Sequence, residues 1–280
     1  MKDILVVSNG SPSDGARLKC AEALAEKFGG WITAIAVAEA PPLPMMVGDG
    51  GYVPINDQDL DDADARALEI RESLATRFQG RPKPATVHAL NGYADHIGRG
   101  LVNIARTQDV CVATLRGDAG NDDDDLQSAL LDAILVDGNC AVLGLPPNAA
   151  ADFSFENVAI AWNNSREAAR AVSRALPLLE KAKSVTVILV DPELRGAGDK
   201  DSPLDELLVR LSHYGIFATV SRVAKREMQT STALLAEAAK LNAQLLVMGA
   251  QGAGGLLQWF QGSVSRAALS ASPIPLFMAH

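Results

Sequence analysis

The 280-residue sequence predicts an α/β protein built twice over: two tandem units, each a five-stranded parallel sheet with helices on both faces. Three observations carry this. Continuous β-branched apolar runs alternate with amphipathic stretches of helical period, the pattern of strands buried on both faces and joined by crossover helices. The chain also resembles itself. Ile4–Ser11 (ILVVSNGS) and Val158–Ser165 (VAIAWNNS) each give an apolar run followed by Asn and then Ser. Between the two copies, Pro146-Pro147-Asn148-Ala149-Ala150-Ala151-Asp152 breaks both strand and helix. The units are therefore 1–147 and 152–280.

In the first unit the opening strand leads to a helix over Asp14–Phe28, with Ser and Asp at its start as capping residues. A second strand follows at Trp31–Val37. The 40–59 segment, with Pro41, Pro42, Pro44, Gly48, Gly50, Gly51 and Pro54, reads as a long loop. Helical periodicity covers Leu60–Phe78, Ala94–Arg106 and Leu126–Val136, with a third strand carrying His88 and later strands at Val110–Ala113 and Ala141–Leu145. The second unit repeats the plan. Its helices read as Arg166–Leu179, Leu204–Tyr214, Thr232–Leu241 and Ser263–Ser272. Its strands include Val185–Val190, Leu245–Met248 and Leu276–Ala279.

Composition narrows the function. Hydrophobic residues make up 48%, the net charge is −9 and the sequence pI is about 5.0. An acidic balance excludes a general nucleic-acid binder, which needs a basic footprint. No apolar run reaches the ~18–20 residues of a membrane span, and Met1-Lys2-Asp3-Ile4 opens no secretion signal. Cys20, Cys111 and Cys140 are scattered, with no CxxC, which indicates a reducing compartment and a cytoplasmic location. The charge is uneven. Residues 1–147 hold 12 Lys and Arg against 22 Asp and Glu, whereas 148–280 hold 13 against 12. The whole acidic excess lies in the first unit.

Ligands of open α/β sheets bind at the carboxyl ends of strands, so the segments leaving the strands matter most. One of them reads Gly249-x2-Gly252-x9-Gly262-Ser263. Its glycines let the backbone turn and approach a ligand. Gly262-Ser263 opens a helix whose free N–H groups and dipole suit a phosphate. On glycine content alone, a ligand-free connection explains the segment equally well. No Gly-Lys-Ser/Thr occurs, so this is no Walker A loop, and GxGxxG is missing from the first turn.

That spacing, followed by Val264 and the strand Pro273-Ile-Pro-Leu-Phe-Met278, resembles the ATP-binding signature of the universal stress protein family. The turn Ile160-Ala161-Trp162-Asn163-Asn164-Ser165 is similar to that family's first strand and turn, usually ending Val-Asp-Gly-Ser. The likeness covers both halves and identifies a tandem member. It implies a Rossmann-like, adenine nucleotide alpha hydrolase-like domain with strand order 3-2-1-4-5 and pairing through the last strands. It also implies ATP, with Mg2+, between the first turn and the glycine loop. Residue by residue, Ala161 and the Val190 backbone would line the adenine, and Asn163 would stand near the adenosine where relatives carry Asp. Met248 and Gly249 would lie beneath ribose and phosphates, and Gly252, Gly262, Ser263 and Val264 would form the phosphate cradle. Gln251 and Gln258 replace the arginines of many relatives, and Arg266 is the nearest cation in sequence.

A constant offset of 135 sets Thr114 against Gly249, Gly117 against Gly252, Gln127 against Gly262 and Ser128 against Ser263. One glycine of three survives, and the loop carries Asp118 and the run Asp122-Asp123-Asp124-Asp125. This run reads as a solvated acidic loop capping the helix near Leu126. A divalent-ion site is the sharper alternative, although consecutive aspartates do not point at one ion. The first unit is thus expected to have lost nucleotide binding, its acidity marking that loss. His88, His96, His213 and His280 are isolated, with no metal-ligand spacing. Trp259 and Phe260 within the glycine loop read as local packing or a subunit contact.

The leading expectation is an ATP-binding stress-response regulator working through nucleotide-dependent conformation or assembly, at most a slow ATPase because it lacks a P-loop lysine and a positioned base. A sensor of another ligand, or an interaction module, is the alternative. An adenylyl-transferring enzyme would need a Ser-Gly-Gly-x-Asp-Ser loop after the first strand, which neither unit has. Expected partners are ATP and either a homo-oligomer or an intramolecular domain pair, without nucleic acid or membrane.

Overall fold

The computed structural model describes residues 1–41, 57–115, 122–147, 149, 153–191, 203–224, 226–250 and 272–280, with the side chains at 122–128 and 132 outside the description. In the first half, β1 (Asp3–Ser8), α1 (Asp14–Phe28), β2 (Trp31–Glu39), α2 (Asp57–Phe78), β3 (Thr86–Gly92), α3 (Ala94–Ala105), β4 (Val110–Thr114), α4 (Asp122–Asp137) and β5 (Ala141–Leu145) follow in turn. The second half continues with β6 (Asn157–Ala161), α5 (Arg166–Leu179), β7 (Ser184–Val190), α6 (Pro203–His213), β8 (Thr219–Val223), α7 (Thr230–Lys240), β9 (Leu245–Gly249) and β10 (Leu276–Ala279).

The ten strands form one sheet in the order β3-β2-β1-β4-β5-β10-β9-β6-β7-β8. Within each half every pairing is parallel and the order is 3-2-1-4-5. The halves meet at a single antiparallel pairing, Leu276 against Gly144, Phe277 against Leu143 and Met278 against Val142. The two expected sheets are therefore continuous. The antiparallel join also sends the strand carboxyl ends of the two halves to opposite rims, so β4 and β9 end on opposite rims.

Burial on both faces explains the unbroken apolar runs. In β1, Ile4 and Val6 join one core with α1, α2, α5 and α6, while Leu5 and Val7 join the other with α3, α4 and α7. The first core crosses the join without interruption, taking Leu143 and Leu145 from one side and Phe277, Val158 and Ile160 from the other. The connecting segment is anchored as well. Phe153 and Phe155 are buried with ring centroids 6.2 Å apart, and Lys27 Nζ of α1 donates to the Ser154 carbonyl at 2.6 Å. Arg174 of α5 reaches the Asn139 carbonyl ahead of β5 at 3.0 Å.

Several helices begin earlier than their periodicity predicts. Asp57–Asp59 belong to α2 rather than to the long loop, and Asp122–Asp125 form the first turn of α4 rather than a loop before it. At the start of α2 the carboxylates of Asp57 and Asp59 lie in the first turn, where the helix dipole favours negative charge. Of the expected long loop, 42–56 lies outside the described residues, as do 263–271 of the last expected helix. Among the described residues, no helix is long and apolar enough to cross a membrane.

Candidate functional site

The strands β7, β6 and β9 are neighbours, and β6 lies where the chain order reverses. Helix α5 leaves β6 for one face, while α7 reaches β9 from the other. Strand ends on either side of such a reversal diverge and leave a crevice. Ala161 ends β6, Val190 ends β7, and Met248-Gly249 end β9. Registers of Ala161 with Ile188 and Ile160 with Val247 bring these ends to one rim. Ala161, Val190 and Met248 share the second core and hence one face of the sheet. Asn163 stands exposed in the turn above them.

That turn is built by its own polar side chains. Asn163 Oδ1 accepts from the Ser165 N–H at 3.1 Å, and Asn164 takes a left-handed φ of 58°. Ser165 Oγ then accepts from the Ala168 N–H at 3.1 Å and caps α5, as expected of it. In the first half Ser13 occupies the N-cap of α1 without a side-chain cap bond, and the adjacent Asp14 accepts from the preceding turn instead.

Gly249 has a different role from the one its sequence context suggests. A Cβ there would meet the Ala168 nitrogen at 2.5 Å and the Glu167 carbonyl carbon at 2.7 Å. The missing side chain lets the first turn of α5 rest on the end of β9. This brings Glu167, buried at 8% exposure, against the same strand end. Sequence reading missed Glu167, although an acid two residues after a capping serine was a visible signal. Arg166 approaches it to 3.5 Å from the exposed side.

Gly252, Gly262, Ser263 and Val264 lie outside the described residues, together with Gln251, Gln258, Trp259, Phe260 and Arg266. The structure thus gathers Ala161, Asn163, Val190, Met248 and Gly249 at one rim and leaves the cradle residues undescribed. An open cleft of about 430 Å³ is lined by Trp162, Asn164, Val172, Leu207 and Arg210, among others. Trp162, Val172 and Leu207 belong to the first core, so this cleft lies on the other face of the sheet from Ala161, Val190 and Met248.

In the first half, Thr114 ends β4 as Gly249 ends β9. Gly117 and Asp118 lie outside the described residues, while Gln127 and Ser128 fall within α4. Among the described residues, no group of three or more His, Cys, Asp or Glu side chains gathers as a metal site. His88 lies on β3, His96 on α3 and His213 at the end of α6. All three cysteines are buried and free.

Comparison with known proteins accords with this architecture. A sequence model described as the universal stress protein family matches residues 154–280. Among solved structures, a universal stress protein from Archaeoglobus fulgidus is similar with a TM-score of 0.72 at 19% identity, over 99% of this chain and 97% of that one. A Pseudomonas aeruginosa protein described as a putative universal stress protein gives 0.50 at 16% identity, over 100% and 93%. The cytoplasmic domain of a prokaryotic cation chloride cotransporter also gives 0.50, at 12% identity, over 99% and 94%. At these identities the likenesses speak to the fold. No curated protein sequence matches the chain. Residues 154–280 thus match the universal stress protein family, and the whole chain shares the fold of the Archaeoglobus fulgidus universal stress protein.

Proposed function

We propose that the second half binds ATP at the rim where β6, β7 and β9 end, and that the protein acts as a stress-response regulator through nucleotide-dependent conformation or assembly. One observation carries the reading. The segment patterned Gly249-x2-Gly252-x9-Gly262-Ser263 starts from the strand end that lies beside Ala161, Val190 and the Asn163 turn. Ala161, Val190 and Met248 offer an apolar floor for adenine, and Asn163 offers a neutral polar group at its edge. Gly252, Gly262, Ser263 and Val264 would hold the phosphates. Magnesium fits the same place: the buried Glu167 beside Gly249 repels bare phosphates and is complementary to a metal-bound triphosphate. When bound, the ion would neutralise phosphate charge at this rim. Hydrolysis, if it occurs, is slow.

On this reading 152–280 is the ligand-binding domain and 1–147 a degenerate domain of the same plan. The protein works in the cytoplasm, and the β5–β10 pairing supplies within one chain the partnership that a homo-oligomer would otherwise supply. Native mass spectrometry with and without Mg-ATP tests the proposal. One nucleotide per chain, lost in Gly262→Asp, supports it. None at millimolar ATP favours a sensor of another ligand, and two per chain contradict a degenerate first half.

A further inference from the structure

The first half has its own strand-end turn, and the structure shows what occupies it. Ser8 ends β1 and Asn9-Gly10 turn the chain, with Gly10 at a φ of 79°. This copies the Asn163-Asn164 turn of the second half, including the side-chain bond of Asn9 Oδ1 with the Ser11 N–H at 3.4 Å. A turn of this kind points backbone N–H groups at one spot and makes a concavity suited to an anion. Here the anion is part of the chain. Asp14, at 8% exposure, accepts from Ser8 Oγ at 2.5 Å, from the Gly10 N–H at 2.8 Å and from the Asn9 N–H at 3.4 Å.

Its countercharge is built in too. Arg17 is fully buried and ion-paired to Asp14. The same guanidinium donates to Asn9 Oδ1 at 3.2 Å, Ser13 Oγ at 3.1 Å and Thr114 Oγ1 at 2.7 Å. Arg17 therefore ties Asn9 to Thr114, the two positions that match Asn163 and Gly249. In the second half Ala168 and Ala171 stand at the positions of Asp14 and Arg17, and its own acid, Glu167, meets the exposed Arg166 instead. Its helix carries Ala168, Ala169 and Ala171 over the corresponding stretch, and Gly249 packs directly on the helix. A buried ion pair is costly unless its geometry and remaining hydrogen bonds are satisfied. Here four side chains, Ser8, Asn9, Ser13 and Thr114, and the N–H groups of Asn9 and Gly10 bond to the pair.

We propose that the first half is self-liganded: the Asp14 carboxylate, neutralised by Arg17, takes the donors that would otherwise hold an external anion, so this half takes up no phosphate-bearing ligand. The assignment does not depend on what the second half binds. It implies a latent site for a small carboxylate or phosphate, exposed when the Asp14 side chain is removed and Arg17 is kept.

The test uses hydrogen exchange and thermal unfolding of the full chain. In Asp14→Ala, amides of residues 8–18 should exchange about tenfold faster or more, the scale expected for losing several bonds to a charged group. Formate at tens of millimolar, against chloride at equal ionic strength, should restore much of that protection and raise the Tm. The wild type should respond to neither. If Asp14→Ala does not fold, Thr114→Val, which keeps the ion pair and removes one bond to Arg17, should speed exchange at 8–18 severalfold and leave 163–170 unchanged. Loss of protection that no small anion restores would overturn the proposal. So would unchanged exchange at 8–18 in both variants, or protection of 8–18 by Mg-ATP in the wild type. Failure of the second-half proposal would show elsewhere, as no protection of 158–170 or 245–250 by Mg-ATP.

Discussion

Gly249 and Thr114 hold equivalent places and face the same way, yet one must be small and the other must be polar. At Gly249 an added methyl meets backbone atoms of α5, which cannot swing aside as a flexible side chain can. Gly249→Ala should therefore destabilise the protein by about 1–3 kcal/mol, read by urea denaturation, with the loss of exchange protection centred on the first turn of α5. An unchanged midpoint would mean that the helix shifts freely. The three thiols are a second case at this scale. Burial pushes Cys20 and Cys111 well up and carries Cys140 to about 12, against the pull of Arg174. Since the thiolate is the reactive form, a disulfide-exchange reagent should label none of them quickly in the folded protein and all three after unfolding.

At the scale of elements, the strands and most helices were legible because their residues announce them. Asp14–Phe28 and Arg166–Leu179 coincide with α1 and α5. The misses fall at helix starts, where α2 and α4 take in aspartates that sequence reading assigned to loops. Asp is a poor helix former in isolation, but a carboxylate at the first turn gains from the helix dipole. Ser165→Ala should cost about 1 kcal/mol through the lost cap of α5, measurable by denaturation. The start of β1 depends on another carboxylate. Burial raises the Asp109 pKa, but the N–H groups of Lys2 and Asp3, the N-terminal ammonium and Arg174 outweigh it and hold the carboxyl below its ordinary range. A depressed carboxyl stabilises the fold fully above its unfolded pKa of about 3.9 and loses that contribution as pH falls through the folded value. Asp109→Asn should thus lower stability near neutral pH and converge with the wild type in strong acid. A constant difference between the two across the acid range would refute this.

For the whole molecule the join between halves decides behaviour. The first core runs through it, and Phe277 is fully buried opposite Leu143. A shared core with one continuous sheet predicts a single calorimetric transition with matching van't Hoff and calorimetric enthalpies; two resolved transitions would show halves that fold separately. Phe277→Ala should cost about 3–5 kcal/mol. Charge also reads differently at this scale. The acidic surplus of the first half includes the starts of α2 and α4, with Asp57, Asp61, Asp62 and Asp64 exposed on α2. Part of it therefore falls in the first turns of helices and part on the exposed face of α2.

What the sequence determined by itself is the repeated α/β plan, because runs of apolar residues at strand and helix period are local signals that do not depend on partners. Resemblance to a family's spacing also marked Ala161, Asn163, Val190, Met248 and Gly249, and the fold brings these five to one rim. Only the tertiary structure decided that the two sheets are one, that Gly249 is small for the sake of α5, and that Asp14 and Arg17 fill the first crevice. Each of these joins residues far apart in the chain, or turns on whether a charge is buried against a partner. Arg17 in the sequence is one more basic residue on a helix. Its meaning comes from Thr114, which stands 97 positions away and accepts its hydrogen bond.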